Sequence, residues 1–276
     1  MRNDESTQGH SEIAVHGLPP EHRRDEVTSY VNKVRNVRVE DLAEHFGVSA
    51  MTIHRDLDTL AADGRLERVR GGARAITARL AERDVRLRRH LNAEVKEQLA
   101  ATAAQLIPAG AVIALDDSTT VGALGAHLSA CAPSTVITHS LDLMNQAVAQ
   151  QIPMVGLGGQ YYAETDSFLG SVVVEQARRL TCDVVFVSTT AIKNGVLLHP
   201  DAEAAQTKAA LLKMGGRKVL LADGSKFEGA GLYHVMALQE FDDIVIDDQV
   251  DTAHREQLRA LGLDVHVAAN PVGSQS

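Results

Sequence analysis

The sequence predicts an α/β protein with a small α+β domain at its N-terminal end, and three observations predict it. The chain has 276 residues, too long for one average domain and suited to two. Up to Ile76 the apolar residues recur at helical spacing in short segments, followed by a hairpin signal at Gly71 and Gly72. From Asn92 onward strand and helix patterns alternate, as they do around a mostly parallel sheet. With 45% apolar and 23% charged residues, the chain can bury a full core, and no apolar run reaches membrane-spanning length. The expected boundaries are a disordered polar tail over 1–20, a small domain over 21–76, a linker over 77–91, a larger domain over 92–268 and a tail over 269–276.

Several function classes are disfavoured by composition. The first twenty residues lack the apolar stretch of a signal peptide, so cytoplasmic residence is expected. Cys131 and Cys182 have no neighbouring partner cysteine, and the twelve histidines show no metal-binding spacing. Neither a disulfide framework, nor a metal site, nor a cofactor is implied. Aromatic residues make up 3% of the chain and tryptophan is absent, which argues against recognition of single-stranded RNA by base stacking. The net charge of −9 hides an asymmetry. Residues 1–90 hold 16 basic and 15 acidic side chains, whereas residues 91–276 hold 11 and 21. Within the first part, nine arginines between Arg65 and Arg89 face only Glu67, Glu82 and Asp84. That local excess would attract a polyanion.

In chain order, Val27, Tyr30, Val31 and Val34 predict an amphipathic helix over 23–34. Val39, Leu42, Ala43 and Phe46 predict a second, stopped by Gly47. Ser49 is placed to cap a third, with Ile53, Leu57 and Leu60 as its buried stripe and Gly64 as its end. Two helices, a tight turn and a capped helix make a helix-turn-helix. Ala50, Met51, Thr52, His54 and Arg55 are left facing outward on the first turns of the third helix, where base edges are read. Arg55 has the fork geometry that suits guanine, Thr52 and His54 can bond base edges or phosphates, and Met51 can touch a thymine methyl. The alternating run Arg65–Arg70, then Gly71-Gly72 and a return through Ile76, predicts a wing whose Arg68 and Arg70 lie along the phosphate backbone.

In the larger domain a helix is predicted around Val95–Leu106. Strands are predicted at 111–115, 135–138, 154–158, 184–187, 218–222, 243–246 and 265–267. Ligands of such sheets bind beyond the carboxyl ends of the strands. There stand Asp116, Asp117, Ser118, Thr119 and Thr120, opening a helix that continues through Val121 and Leu124. Hydroxyls at a helix start can offer an anion site, or simply cap the helix. Further along come His139-Ser140, Gly158-Gly159-Gln160, Ser188-Thr189-Thr190 and Asp223-Gly224-Ser225-Lys226. Lys226, with Lys208 from a helix over 202–212, would balance phosphate charge, while Asp116 or Asp117 would suit sugar hydroxyls.

The run VSAMTIHRDLDTLAADGRLERVRGGA over Val48–Ala73 resembles the signature of DeoR-family sugar-metabolism repressors, departing at His54 and Arg70, where that family usually has Arg and His. Leu115–Thr120, Val136–Ser140, Gly158-Gly159, Ser167–Gly170, Lys208–Leu212 and Leu221–Phe227 are similar to landmarks of the DeoR sensor domain. There Asp117, His139 and Gln206 replace the usual Ser, Asn and Glu. The resemblance implies a winged helix-turn-helix followed by a ribose-5-phosphate-isomerase-like sheet. It also implies binding of a double-stranded, palindromic operator by a homodimer or homotetramer, and release when a phosphorylated sugar enters the sensor. The alternative is a sugar-phosphate isomerase fused to a DNA-binding domain, for which no residue marks a positioned base.

Overall fold

A computed structural model of the chain describes residues 19–62, 65–75 and 85–268. It divides into two compact units, Met1–Ala81 and Glu82–Ser276. In the first, α1 (Pro20–Val34), β1 (Asn36–Arg38), α2 (Val39–Phe46), α3 (Ala50–Ala62), β2 (Glu67–Val69) and β3 (Gly72–Arg74) follow in order. Helix α1 starts three residues before the expected Arg23, because Pro20 has the φ of a first helical turn and needs no N–H there. Helix α2 ends at Gly47 in the left-handed conformation (φ 61°, ψ 36°). The Ser49 hydroxyl then accepts the Thr52 amide at 3.2 Å, capping α3. Val27, Val31, Leu42, Phe46, Ile53, Leu57 and Leu60 are sealed between the three helices. Asp56 is buried on α3, and Arg23 of α1 donates to it from Nε at 2.6 Å.

The wing is a three-stranded antiparallel sheet in the order β1-β3-β2. Strand β1 was not expected, since Asn36-Val37-Arg38 offers one apolar residue, too few for a period of two to register. The hairpin turns at Arg70-Gly71 rather than at Gly71-Gly72. Gly72 belongs to β3, where a Cβ would stand 2.1 Å from the Val37 carbonyl oxygen, so only glycine lets β1 pair there. Gly64 as a helix end and Ile76 as the end of the wing lie outside the described residues, as do both tails except for Pro19 and Pro20, and 77–84 of the linker.

The second unit has strands β4 (Val112–Leu115), β5 (Thr135–Thr138), β6 (Met154–Gly156), β7 (Gln160–Tyr162), β8 (Ser167–Leu169), β9 (Cys182–Ser188), β10 (Ala191–Lys193), β11 (Val196–His199), β12 (Gly215–Ala222), β13 (Tyr233–Ala237), β14 (Asp243–Ile246) and β15 (Asp264–Val267). Its helices are α4 (Val85–His90), α5 (Ala93–Ala104), α6 (Thr119–Gly122), α7 (Leu128–Cys131), α8 (Leu141–Ala149), α9 (Ser171–Ala177), α10 (Ala202–Leu212), α11 (Ser225–Glu228) and α12 (Thr252–Ala260). Seven strands form one parallel sheet in the order β15-β14-β12-β9-β4-β5-β6. Both faces are covered: Val185, Val187 and Leu220 join one core, while Val184, Phe186, Val219 and Leu221 join the other. Burial on both faces is why these strands read as continuous apolar runs. The chain moves outward from β4 in one direction through β5 and β6, and in the other through β9, β12, β14 and β15. The order therefore reverses between β4 and β9, which opens a crevice at their carboxyl ends.

Two features differ from expectation. Beside the parallel sheet lie a β7-β8 hairpin and an antiparallel β10-β11-β13 sheet, built partly from three-residue strands that carry little periodicity. The single helix expected after β4 is broken into α6, a 3-10 turn over Ala123–His127 and α7. Side chains of α8 and of Gln150 just after it interrupt it: Gln150 Nε2 donates to the Gly125 carbonyl at 2.8 Å and Gln146 Nε2 to that of Gly122 at 3.4 Å. Among the described residues no helix is long and apolar enough to cross a membrane.

Candidate DNA-reading surface and effector crevice

On the outward side of α3, Met51 is 63% exposed and Arg55 is exposed, with Thr52 and His54 half-buried beside them. The Ser49 hydroxyl is engaged as the helix cap and lies 2.9 Å from the Thr52 hydroxyl. Arg55 and Arg70 form no ion pair with any described acid, so both guanidiniums are available to an incoming anion. Arg68 differs. Its Nη2 lies 3.0 Å from His54 Nδ1, its Nε 3.1 Å from Asp58 Oδ1, and its Nη1 donates to the Gly72 carbonyl at 3.3 Å. Its guanidinium is folded from the wing onto α3 rather than extended for phosphate.

In the second unit the reversal between β4 and β9 holds a network of buried charge. Asp116, fully buried at the end of β4, accepts from Ser118 N at 3.0 Å and Ser118 Oγ at 2.6 Å on one oxygen. On the other it accepts from Ser188 N at 3.0 Å and Lys208 Nζ at 2.5 Å. Lys208 also reaches Asp117 Oδ1 at 3.0 Å, while Asp117 Oδ2 accepts from Ser167 Oγ at 2.9 Å. Burial would push the Asp117 carboxyl up, but the Lys208 ammonium, with His139 and Arg88, outweighs it and holds it well below the usual carboxylate range. Burial would likewise lower Lys208, and its two carboxylates raise it instead. Lys208 is thus balanced by two acids, and Asp116 by four donors. Both organise the crevice floor.

His139 is fully buried; its Nδ1–H donates to the Phe168 carbonyl at 2.9 Å, leaving Nε2 unpartnered 3.8 Å from Asp117. Ser140 caps α8 by accepting the Leu143 amide at 3.4 Å. Ser118 likewise caps α6 by accepting from Val121 N at 3.2 Å, while its own hydroxyl donates to Asp116. Thr120 is buried on α6. Above this floor is a cavity of about 310 Å³ bordered by Asp117, Ser118, Thr119, Ser140, Lys96 and Arg89. The remaining expected residues do not border this cavity. Lys226 lies 3.8 Å from Asp223 at the end of β12. Gly159 packs against Val173 and the Leu169 carbonyl, at the foot of α9, and is not part of the charged cluster.

Sequence reasoning missed Lys96. It is buried on α5, and its ammonium donates to the Arg88 carbonyl. Burial, then the neighbouring Lys226, pushes it down to about 8, with Arg88 adding to this and Asp223 opposing it. A signal was present: Lys96, Leu99, Ala100 and Ala103 share the buried face of α5, so the lysine falls on an apolar stripe. Also missed was α4, from the expected linker, which borders the same cavity. Val85 is buried, its amide donating to the Glu164 carbonyl at 2.9 Å. Arg89 Nη2 lies 2.8 Å from Asp166 and 3.5 Å from Asp142. The Thr119 hydroxyl donates to the Arg88 carbonyl at 3.4 Å.

Among known proteins, the chain is 33% identical over 227 residues to the L-fucose operon activator of Haemophilus influenzae, covering 81% of this chain and 91% of that one. It is 29% identical over 242 residues to a lactose phosphotransferase system repressor of Staphylococcus epidermidis, covering 86% and 96%. Among solved structures it is similar to ribose 5 phosphate isomerase A from Neisseria gonorrhoeae, with 15% identity and a TM-score of 0.37. That match covers 49% of this chain, and the chain spans about half the isomerase's length (53%). Residues 23–79 match the family described as DeoR-like helix-turn-helix domain, and residues 91–248 match the DeoR C terminal sensor domain. A helix-turn-helix, a parallel-sheet unit that follows it in the chain and these two matches identify the chain as a DNA-binding transcriptional regulator, not an enzyme, and it belongs to the DeoR family.

Proposed function

We propose that the protein represses carbohydrate-metabolism genes and leaves its operator when a phosphorylated sugar enters the crevice at the ends of β4 and β9. The observation that carries this is the pairing, around one cavity, of a buried cation with little counter-charge, Lys96, and a carboxylate, Asp117, beside hydroxyls of Thr119 and Ser140. A phosphate suits the lysine end. Sugar hydroxyls suit the Asp117 end, and the carboxylate would repel a phosphate there. The relatives are named for a fucose operon and a lactose phosphotransferase system, which supports a sugar as the signal. Arg55 and Arg70 would meet DNA, with Thr52 and Met51 beside them, as a homodimer or homotetramer on a two-fold operator in the cytoplasm.

The coupling would run through α4. Lys96 and Thr119 both donate to the Arg88 carbonyl, so an anion that takes these donors takes them from the helix through which the chain arrives from the DNA-binding unit. Effector and operator then favour different states of α4. A thermal-shift screen of sugar phosphates against their unphosphorylated sugars tests the reading. A true effector at about 100 times its Kd adds about 2.7 kcal/mol of stability and weakens operator binding. No stabilisation by any phosphorylated sugar, or equal stabilisation by the free sugars, overturns it.

A further inference from the structure

We infer that Arg68 of the wing is a positioning residue for base reading: it fixes the ring of His54 on the recognition helix so that its only donor is Nε2–H. A guanidinium has donors and no acceptor. With Arg68 Nη2 3.0 Å from His54 Nδ1, the ring nitrogen must accept, and the proton of the imidazole resides on Nε2. The orientation is held from three sides. Arg68 Nε lies 3.1 Å from Asp58 Oδ1, one helical turn beyond His54, and Nη1 donates to the Gly72 carbonyl at 3.3 Å across the β2-β3 ladder. The planar fork therefore ties wing, Asp58 and His54 together, a set of contacts a lysine cannot reproduce.

The consequence is a defined base preference. His54 stands on the outward half of α3 between Met51 and Asp58, among the residues left to face the duplex. A ring that presents a single N–H selects an acceptor on a base edge, guanine N7 or O6, adenine N7 or thymine O4, and disfavours the cytosine amino group. Phosphate affinity in the wing then rests on Arg70, which is exposed and pairs with no described acid, rather than on Arg68.

The test is selection of binding sites from a randomised duplex library by the purified full-length chain and by the variants R68K, R68A and H54A, with salt dependence measured on the selected site. R68K keeps the charge and loses the fork. The expected result is that R68K and R68A lose discrimination at the same base position that H54A loses, by about tenfold each. The H54A/R68A double variant should lose no more than either single one. If R68K binds as the parent does, and R68A weakens all sequences equally with a shallower salt slope, Arg68 is a phosphate contact and the inference is overturned. It is equally overturned if H54A and R68K alter different positions. R70A serves as the reference for a backbone contact, with uniform loss and a salt slope reduced by about one.

Discussion

The two units handle charge in opposite ways. On the recognition surface Arg55 and Arg70 are exposed and unpaired with any described acid, so their hydrogen-bonding capacity is open to DNA. In the crevice Lys208, Asp116 and Asp117 are buried and already satisfy one another. An open set of donors gives affinity that salt can screen. A closed network gives a fixed shape, and on the function proposed above a ligand would enter it by exchanging partners at its edge, at Lys96, Thr119 and α4. On that proposal one surface binds and the other changes on binding.

The sharpest way to break this comparison is Lys208→Met. It leaves two carboxylates buried without their cation, and the expected loss is about 3–5 kcal/mol, read as a lowered thermal midpoint of the full chain. Adding D117N should restore part of it. If K208M melts like the parent, the crevice floor is not the closed network described. Arg55→Ala is its mirror image: thermal stability unchanged, but discrimination at one operator base lost by about 2 kcal/mol. A comparable fall in melting temperature would mean that Arg55 has a structural role.

The pH dependence of Lys96 sharpens the contrast at the crevice edge. Its folded value of about 8 lies below the ordinary 10.5. Between those two values the unfolded chain holds a proton that the folded chain does not, so this group's contribution to stability rises with pH across that window. Anion binding needs the charged form. Affinity for a sugar phosphate is therefore expected to fall by about tenfold per pH unit above 8, with proton uptake visible when calorimetry is repeated in buffers of different ionisation enthalpy. A flat affinity from pH 7.5 to 9.5 would remove Lys96 from the site. The smallest effect is expected from Asp56→Asn, which loosens α1 from α3. Because Arg23 and Arg24 are partly exposed, about 1 kcal/mol is expected in a denaturant titration.

The winged helix was legible because its signals are local. Gly47 as a left-handed stop, Ser49 as a cap and the Ile53-Leu57-Leu60 stripe each act within one or two turns of chain. The parallel strands were legible because burial on both faces leaves uninterrupted apolar runs. The β10-β11 hairpin was legible in principle and overlooked. Asn194-Gly195 (φ 51° and 73°) is the dipeptide that a two-residue turn with positive φ requires. Strand β1 was not legible, because its pairing depends on Gly72, more than thirty residues away.

The sequence by itself determined which residues could carry chemistry: Arg55 on the third helix and the acids, hydroxyls and lysines after the strands. Only the tertiary structure decided which of them are still unsatisfied. Lys208 meets Asp116 and Asp117 across 92 and 91 residues of chain, Arg68 turns from the backbone towards His54, and Lys96 and α4 come to border the cavity. A side chain's type sets what it can donate or accept, whereas its burial and partners come from contacts between distant segments, and those decide what remains free for a ligand.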